Sequence, residues 1–300
     1  MPYPALSSWL DARVTPPTHR IAISLVLVSI ASVQVGAAIA KGLFDVVSPT
    51  GMVWLRLAAS ALILTLLVRP NLAGRTPRDW RLMLAYAVCL GGMNWAVYQA
   101  FHRIPLGLTV TIEFLGPLTV AVVTSRVRRD VGWALLAACG VAMLGFSPTD
   151  VSWVGVGYAL LAGAGWAGYI VISPALGARW SGLSGLAMAS VVASLVLLGP
   201  AVVSDGRTLL DPHVLLIGLA VGLMSSVIPY SLELRALRTL PRRVFSILMS
   251  LEPAAAALAA LLILGEQLSL VDVLAMGCVV AASVGITRGA APPPVAEEQP

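Results

Sequence analysis

Apolar runs of about twenty residues recur along this chain so closely that little else fits between them. They fall at about 21–40, 50–68, 80–101, 105–124, 131–147, 153–173, 182–202, 212–234, 242–263 and 268–287. A helix of about 20 mostly apolar residues, rising about 1.5 Å per residue, spans the hydrocarbon core of a bilayer. The connections are short and rich in Pro, Arg, Asp and Gly, as in RPNLAGRTPRD (69–79) and SRVRRD (125–130). Composition supports the same reading. Of the 300 residues, 58% are hydrophobic and only 11% charged, against roughly 25% charged in a water-facing globule. The expected fold class is an all-α integral membrane protein with ten transmembrane helices.

Ten crossings would place both termini on one side, and the basic residues choose the side. With the N-terminus cytoplasmic, Lys41, Arg103 and Arg207 fall outside and Arg56 falls within a span, while every other Lys or Arg falls inside. That is the bias of a membrane protein oriented by its arginines. Arg13 and Arg20 before the run at Ile21 imitate a secretory signal, but the spans that follow make an uncleaved first helix the expectation. QAFHRIPLGLTVTIEFLGP (99–117) and RALRTLPRRVFSILMSLEP (235–253) repeat a Pro–Pro spacing of twelve, with Pro105, Pro117 and Ala100 matching Pro241, Pro253 and Ala236 at an offset of 136. A repeat of five helices is odd, so its copies must be inverted, as in many secondary transporters. The expected layout is a cytoplasmic segment 1–20, five-helix repeats at 21–147 and 153–287, and a disordered, Pro-rich cytoplasmic tail 288–300.

Several function classes lack their parts. His19, His102 and His213 lie at or beyond span ends, and no span carries a Ser-His pair, an HExxH motif or an aspartate dyad. No phosphate-binding loop marks ATP as the energy source. Cys89, Cys139 and Cys278 sit inside apolar runs and read as packing residues. No enzyme, cofactor or metal site is expected. The net charge of +5 is dispersed between spans, so no nucleic-acid partner is expected either.

What remains is a set of polar groups where lipid-facing helices should have none. Ionisable residues at membrane depth are costly and normally face a cavity or a partner. Glu113 and Glu252 lie near the middle of their runs, and Arg56 falls at a depth similar to Glu113. Arg56 and Glu113 either form a structural ion pair or hold the two ends of a zwitterion. Glu252 either exchanges a proton or stays protonated as a structural group. Glu233 lies among Arg235 and Arg238 at a helix end and reads as an interfacial ion pair. Pro117, Pro229 and Pro253 should kink their helices and free the carbonyls of Glu113, Ser225 and Met249. Exposed backbone at this depth is tolerated where it lines a water-filled cavity. Gln34, Asn94, Tyr98, Gln99, Ser226, Tyr230, Ser246 and Ser250 gather at similar levels, with Trp95 and Trp166 deep enough to join them. In GYALLAGAGWAGY (157–169) the small residues at three- and four-residue spacing allow close helix approach.

These features resemble the EamA-type drug/metabolite transporter superfamily. Within it, GGMNWAVYQAFHRIPLGLTVTIEFLGPLTVAV (91–122), IPYSLELRALRTLPRRVFSILMSLEPAAAA (228–257), LGEQLSL (264–270) and SVQVGAAIAKGLFDVVSPTGMVWLRLA (32–58) are most similar to bacterial inner-membrane exporters of threonine and homoserine. The resemblance runs from about 21 to 287 and implies export of small neutral amino acids driven by an ion gradient. The partners it implies are an amino-acid substrate, membrane lipid and a coupling proton, with a homodimer left open. A drug or other metabolite exporter of the same fold, or a passive facilitator, are the alternatives. Arg56, Glu113, Gln34, Asn94, Tyr98, Gln99, Tyr230 and Ser250 are the candidate substrate contacts, and Glu252 is the candidate proton carrier.

Overall fold

A computed structural model of the chain describes residues 17–125, 129–144 and 151–289. Most of the N-terminal segment 1–20 and of the tail 288–300, and the end of the run at 131–147, lie outside the described residues. Among those described, the chain is helical throughout and has no strand. The helices are α1 (His19–Lys41), α2 (Pro49–Val68), α3 (Pro77–Phe101), α4 (Leu106–Glu113), α5 (Leu115–Thr124), α6 (Arg129–Met143), α7 (Trp153–Gly177), α8 (Ser184–Asp205), α9 (Pro212–Gly222), α10 (Ile228–Ala236), α11 (Arg242–Met249), α12 (Glu252–Ala259) and α13 (Leu270–Gly289).

Among the described residues, eight segments are long and apolar enough to cross a membrane: α1, α2, α4 with α5, α7, α8, α9 with α10, the stretch Val244–Leu264, and α13. The expected spans at 80–101 and 131–147 are helical but fall short. Helix α3 carries Arg78, Asp79, Arg81, Asn94 and Gln99 in its 25 residues, and α6 is described over only 15.

Starts of helices follow local chemistry. Ser48–Pro49, Thr76–Pro77 and Asp211–Pro212 each pair a capping side chain with a proline at the first helical position, where a missing N–H costs nothing. Thr76 and Asp79 form a reciprocal capping box. Asp79 also accepts a 2.6 Å hydrogen bond from Arg179, tying the start of α3 to the end of α7.

The proline effects differ in kind. Pro117 and Pro253 sit just after interruptions, at 114 between α4 and α5 and at 250–251 between α11 and α12. The interrupted helices α4 and α11 are both eight residues long, both follow a proline N-cap, and lie 136 residues apart. Pro229 instead follows a π-helical turn, Leu223–Val227, that joins α9 to α10 without a break. A second such turn, Ala260–Leu264, ends the α12 segment at Gly265, whose φ of 69° is a conformation glycine adopts without strain.

Helix α3 packs along α7 and α8, α2 along α8 and α9, α6 along α13, and α1 along α10 and α12. The interrupted helices meet where Gly107 of α4 touches Ala257 of α12. On α7, Gly163, Gly165 and Gly168 abut Glu113, Met93 and Cys89 respectively, so the small-residue face does bring helices close. All three cysteines are free.

Candidate functional site

A cavity of about 460 Å³ lies at the centre of this packing, walled by α1, α2, α3, α7, α10, α13 and both interrupted helices. Its wall near the α1 C-terminus is sealed, with Ala37, Val97, Phe101 and Val110 all buried. Towards the other end it reaches Phe245, Ser246 and Thr287, and Ser246 is exposed. The cavity is therefore open at one end and closed at the other.

The closed end is tied by polar contacts. Lys41 Nζ pairs with Glu266 Oε1 at 2.6 Å and donates to the Ile104 carbonyl at 2.8 Å. The other oxygen, Glu266 Oε2, accepts from the Leu106 N–H at 2.9 Å. That N–H opens helix α4, whose N-cap Pro105 supplies no side-chain cap. Ser48 donates from both its N–H and its hydroxyl to Asp205, each at 2.6 Å.

The π turn brings Ser225 to the cavity wall and frees backbone carbonyls beside it. Proline 229 has no N–H to give, and the Ile228 N–H reaches back to Leu223. The Met224 and Ser225 carbonyls turn to neighbouring helices instead: Ser32 Oγ donates to Met224 at 2.7 Å and Arg56 Nη2 to Ser225 at 2.9 Å. Arg56 also lies 5.8 Å from the Tyr98 ring centroid, within cation–π range. No ion pair within 4 Å joins it to Glu113. Its anchors are thus a carbonyl and a ring, neither of which cancels its charge.

The chain aligns with the threonine/homoserine exporter RhtA of Escherichia coli (strain K12) at 42% identity over 269 residues, 88% of this chain and 90% of that protein. RhtA of Salmonella typhimurium (strain LT2) is 40% identical over the same shares. Residues 153–288 match the EamA-like transporter family. The chain belongs to the EamA-like transporter family. A protein of known crystal structure, 16% identical, covers 89% of this chain and 98% of its own with a TM-score of 0.61, which shows the shared fold. Family membership and eight apolar helices make this a multi-pass membrane protein of an exporter lineage.

In this EamA-like chain the cavity gathers most of the expected residues. Gln34, Arg56, Asn94, Glu113, Pro117, Pro229, Tyr230 and Glu252 all line it. Glu113 is the last residue of α4 and Glu252 the first of α12, so each carboxylate flanks an interruption. Of the two deep tryptophans, Trp166 lines the wall, edge-on to Phe114 at 5.4 Å. Trp95 turns away to Thr50 and Tyr158.

Five expected residues are off the wall, the buried Ser226 among them. Gln99 is engaged at the closed end, donating to Thr50 Oγ1 and accepting from Arg103, each at 3.0 Å. Tyr98 is fully buried behind Arg56. Ser250 sits one layer back, 2.7 Å from Ser283 Oγ, which does line the cavity. Pro253 shapes the interruption without facing the space.

Glu233 has a different setting from the interfacial one expected. It lines the cavity and accepts a 2.6 Å hydrogen bond from Ser29 Oγ. Ser225, Ser283 and Thr287 also line it and carried little signal in the sequence. A hydroxyl in an apolar helix can bond back one turn, as Thr287 Oγ1 does to the Ser283 carbonyl at 2.8 Å, so it costs too little to stand out.

Proposed function

We propose that this chain exports small neutral amino acids of the threonine and homoserine kind across the bacterial inner membrane by alternating access, with the proton as coupling ion. The observation that carries the reading is Arg56: a guanidinium on a cavity wall, held by a backbone carbonyl and so left with its charge for a ligand. Glu113 lines the same cavity and is not paired with it. A zwitterion takes its carboxylate to Arg56 and its ammonium to Glu113, and a cavity of about 460 Å³ is within the usual range for small-molecule sites. The name of the 42% identical relative points to the same substrates.

In this mechanism the ten expected helices work as two five-helix repeats, at 21–147 and 153–287, inverted about the cavity, with both termini cytoplasmic as the arginine bias directs. In that orientation the open end faces the cytoplasm, where an exporter loads, and the Lys41–Glu266 end faces outward. Glu252 carries the proton, exchanging it as the repeats rock.

Proteoliposomes loaded with labelled threonine, homoserine and a panel of other amino acids test this by release with and without a pH gradient. Release of the hydroxylated pair, accelerated by the gradient, is the expected result. Release indifferent to the gradient would make the protein a passive facilitator, and release of none of them would overturn the substrate class.

A further inference from the structure

Helices α3 and α7 belong to different proposed repeats, yet they are tied along their length. Near the closed end Arg103 lies over the Tyr158 ring at 4.8 Å, and Trp95 meets the same ring edge-on at 5.5 Å. Midway, the Tyr86 and Tyr169 rings lie 4.7 Å apart, and a methyl group on Gly165 would fall 2.8 Å from Met93 Cβ. At the other end of the pair Arg179 meets Asp79 at 2.6 Å, and Arg75 lies over Trp180 at 4.3 Å. Helices α1 and α10, also of different repeats, are tied in the same way. Ser29 Oγ donates to Glu233 at 2.6 Å, Ser32 Oγ donates to the Met224 carbonyl just before α10 at 2.7 Å, and Val26 and Ile30 pack with Ala236.

Within the first repeat the relation is different. Helices α1 and α3 both line the cavity, through Gln34 and Asn94, rather than packing along each other. They meet at the closed end. There Phe44, just past α1, has its ring 6.1 Å from that of Tyr98 and 5.9 Å from that of His102, and Lys41 reaches the Ile104 carbonyl. Helices joined by charge, rings and close glycine contacts from end to end separate only by losing all of these together, whereas helices that meet at one end beside a cavity can part there. We infer that the two bodies that move in alternating access are not the sequence repeats but pairs with one helix from each repeat, α3 with α7 and α1 with α10. The inference rests on the alternating-access reading and names its moving parts. Opening the closed end then parts Phe44 and Lys41 from the end of α3, while the Asp79–Arg179 and Ser29–Glu233 contacts stay made.

Two locks, in the full chain reconstituted in liposomes, separate this from rocking of the repeats as wholes. Gly168→Cys places its Cβ 3.9 Å from Cys89 Cβ, a disulfide spacing, and so joins α3 to α7. Phe44→Cys with His102→Cys, bridged by a short bifunctional thiol reagent, joins α1 to α3 at the closed end. Cys139 and Cys278 are replaced throughout, and Cys89 too in the second lock. The oxidised Gly168→Cys chain should export threonine within about twofold of its reduced form, and the bridged chain at least about tenfold more slowly than its unbridged form. Whole repeats rocking would give the reverse, and either loss with the first lock or retention with the second would overturn the inference. A measurement indifferent to substrate keeps this apart from the amino-acid reading. Trp153 is exposed at the start of α7. Nitroxide labels on His102→Cys with Trp153→Cys should report one distance, and on His102→Cys with Phe44→Cys two. Any other pattern would overturn the inference, whether or not threonine is exported, whereas this pattern without export of any amino acid would remove the substrate reading alone.

Discussion

Glu266→Gln should loosen the closed end of the cavity without unfolding the protein. The carboxylate makes two charge-assisted contacts, one to Lys41 Nζ at 2.6 Å and one to the Leu106 N–H at 2.9 Å. Both side chains are partly shielded, at 17% and 19% exposure, so the pair escapes much of the screening that weakens surface ion pairs. Glutamine keeps an acceptor but loses the charge. Hydrogen bonds to charged groups contribute about 1 kcal/mol more than neutral ones, so two of them amount to roughly 2 kcal/mol. If the contacts form only when this end is closed, the closed state loses roughly 30-fold in population relative to the open one. The assay is the rate at which an impermeant thiol reagent, added from the Glu266 side, labels Ala37→Cys in a chain whose Cys89, Cys139 and Cys278 are replaced. Ala37 is 5% exposed and lies on the cavity wall one helical turn before Lys41. Labelling should rise by roughly the same factor, and Lys41→Met added to Glu266→Gln should give far less than the product of the single effects. A rate unchanged by Glu266→Gln, or multiplicative effects of the two substitutions, would refute the idea that this ion pair holds the end shut.

Three further outcomes follow from the geometry. The double variant Arg56→Leu with Glu113→Leu should fail to restore the transport lost in either single variant, since the two are not paired; recovery of threonine efflux would reinstate the structural ion pair. Glu252→Gln should abolish uphill export while sparing exchange of labelled for unlabelled threonine, whereas pumping with an unaltered pH profile would make Glu252 structural. On α7, Gly163→Ala should lower stability by about 1–3 kcal/mol, because its methyl would lie 2.8 Å from the Glu113 carbonyl, and Gly157→Ala, with nothing within 4 Å, should raise it by about 0.5–1 kcal/mol; opposite signs in thermal unfolding check both.

What the sequence disclosed followed from cost. A charge, an amide or a proline in an apolar helix is expensive, so Arg56, Glu113, Glu252, Gln34, Asn94 and Pro117 announced themselves, and all line the cavity. That these residues belong on a cavity was legible in the same way, but the direction of each side chain was not. Gln99 lies five residues beyond Asn94 on the same helix, yet turns to Thr50 and Arg103, because α3 is polar on several faces and its pattern does not single out the inner one. Glu233 was misplaced by its company: neighbouring arginines in sequence outweighed Ser29, which is 204 residues away and meets it only in the folded bundle. The π turn before Pro229 had no sequence signature, although Pro229 itself marked the Ser225 carbonyl that holds Arg56.

The two interrupted helices also suggest why the carboxylates are not equivalent. At the offset of 136, Glu113 corresponds to Met249 and Gly116 to Glu252. Position 116 is barred to any side chain, since a methyl there would run into the Gly163 carbonyl. Close packing of α5 on α7 thus excludes a carboxylate just after the first interruption and leaves Glu113 just before it. After the second interruption the matching position is open to the cavity, and Glu252 occupies it while Met249 fills the place of Glu113. In the proposed mechanism Glu113 and Arg56 hold the two ends of a zwitterion, and Glu252, on the same cavity but in the other half of the chain, exchanges the proton. If the proposed repeats carried identical sites they would take two substrates or two protons; the Gly116–Gly163 contact makes the two positions differ, as the proposal of one substrate and one proton needs.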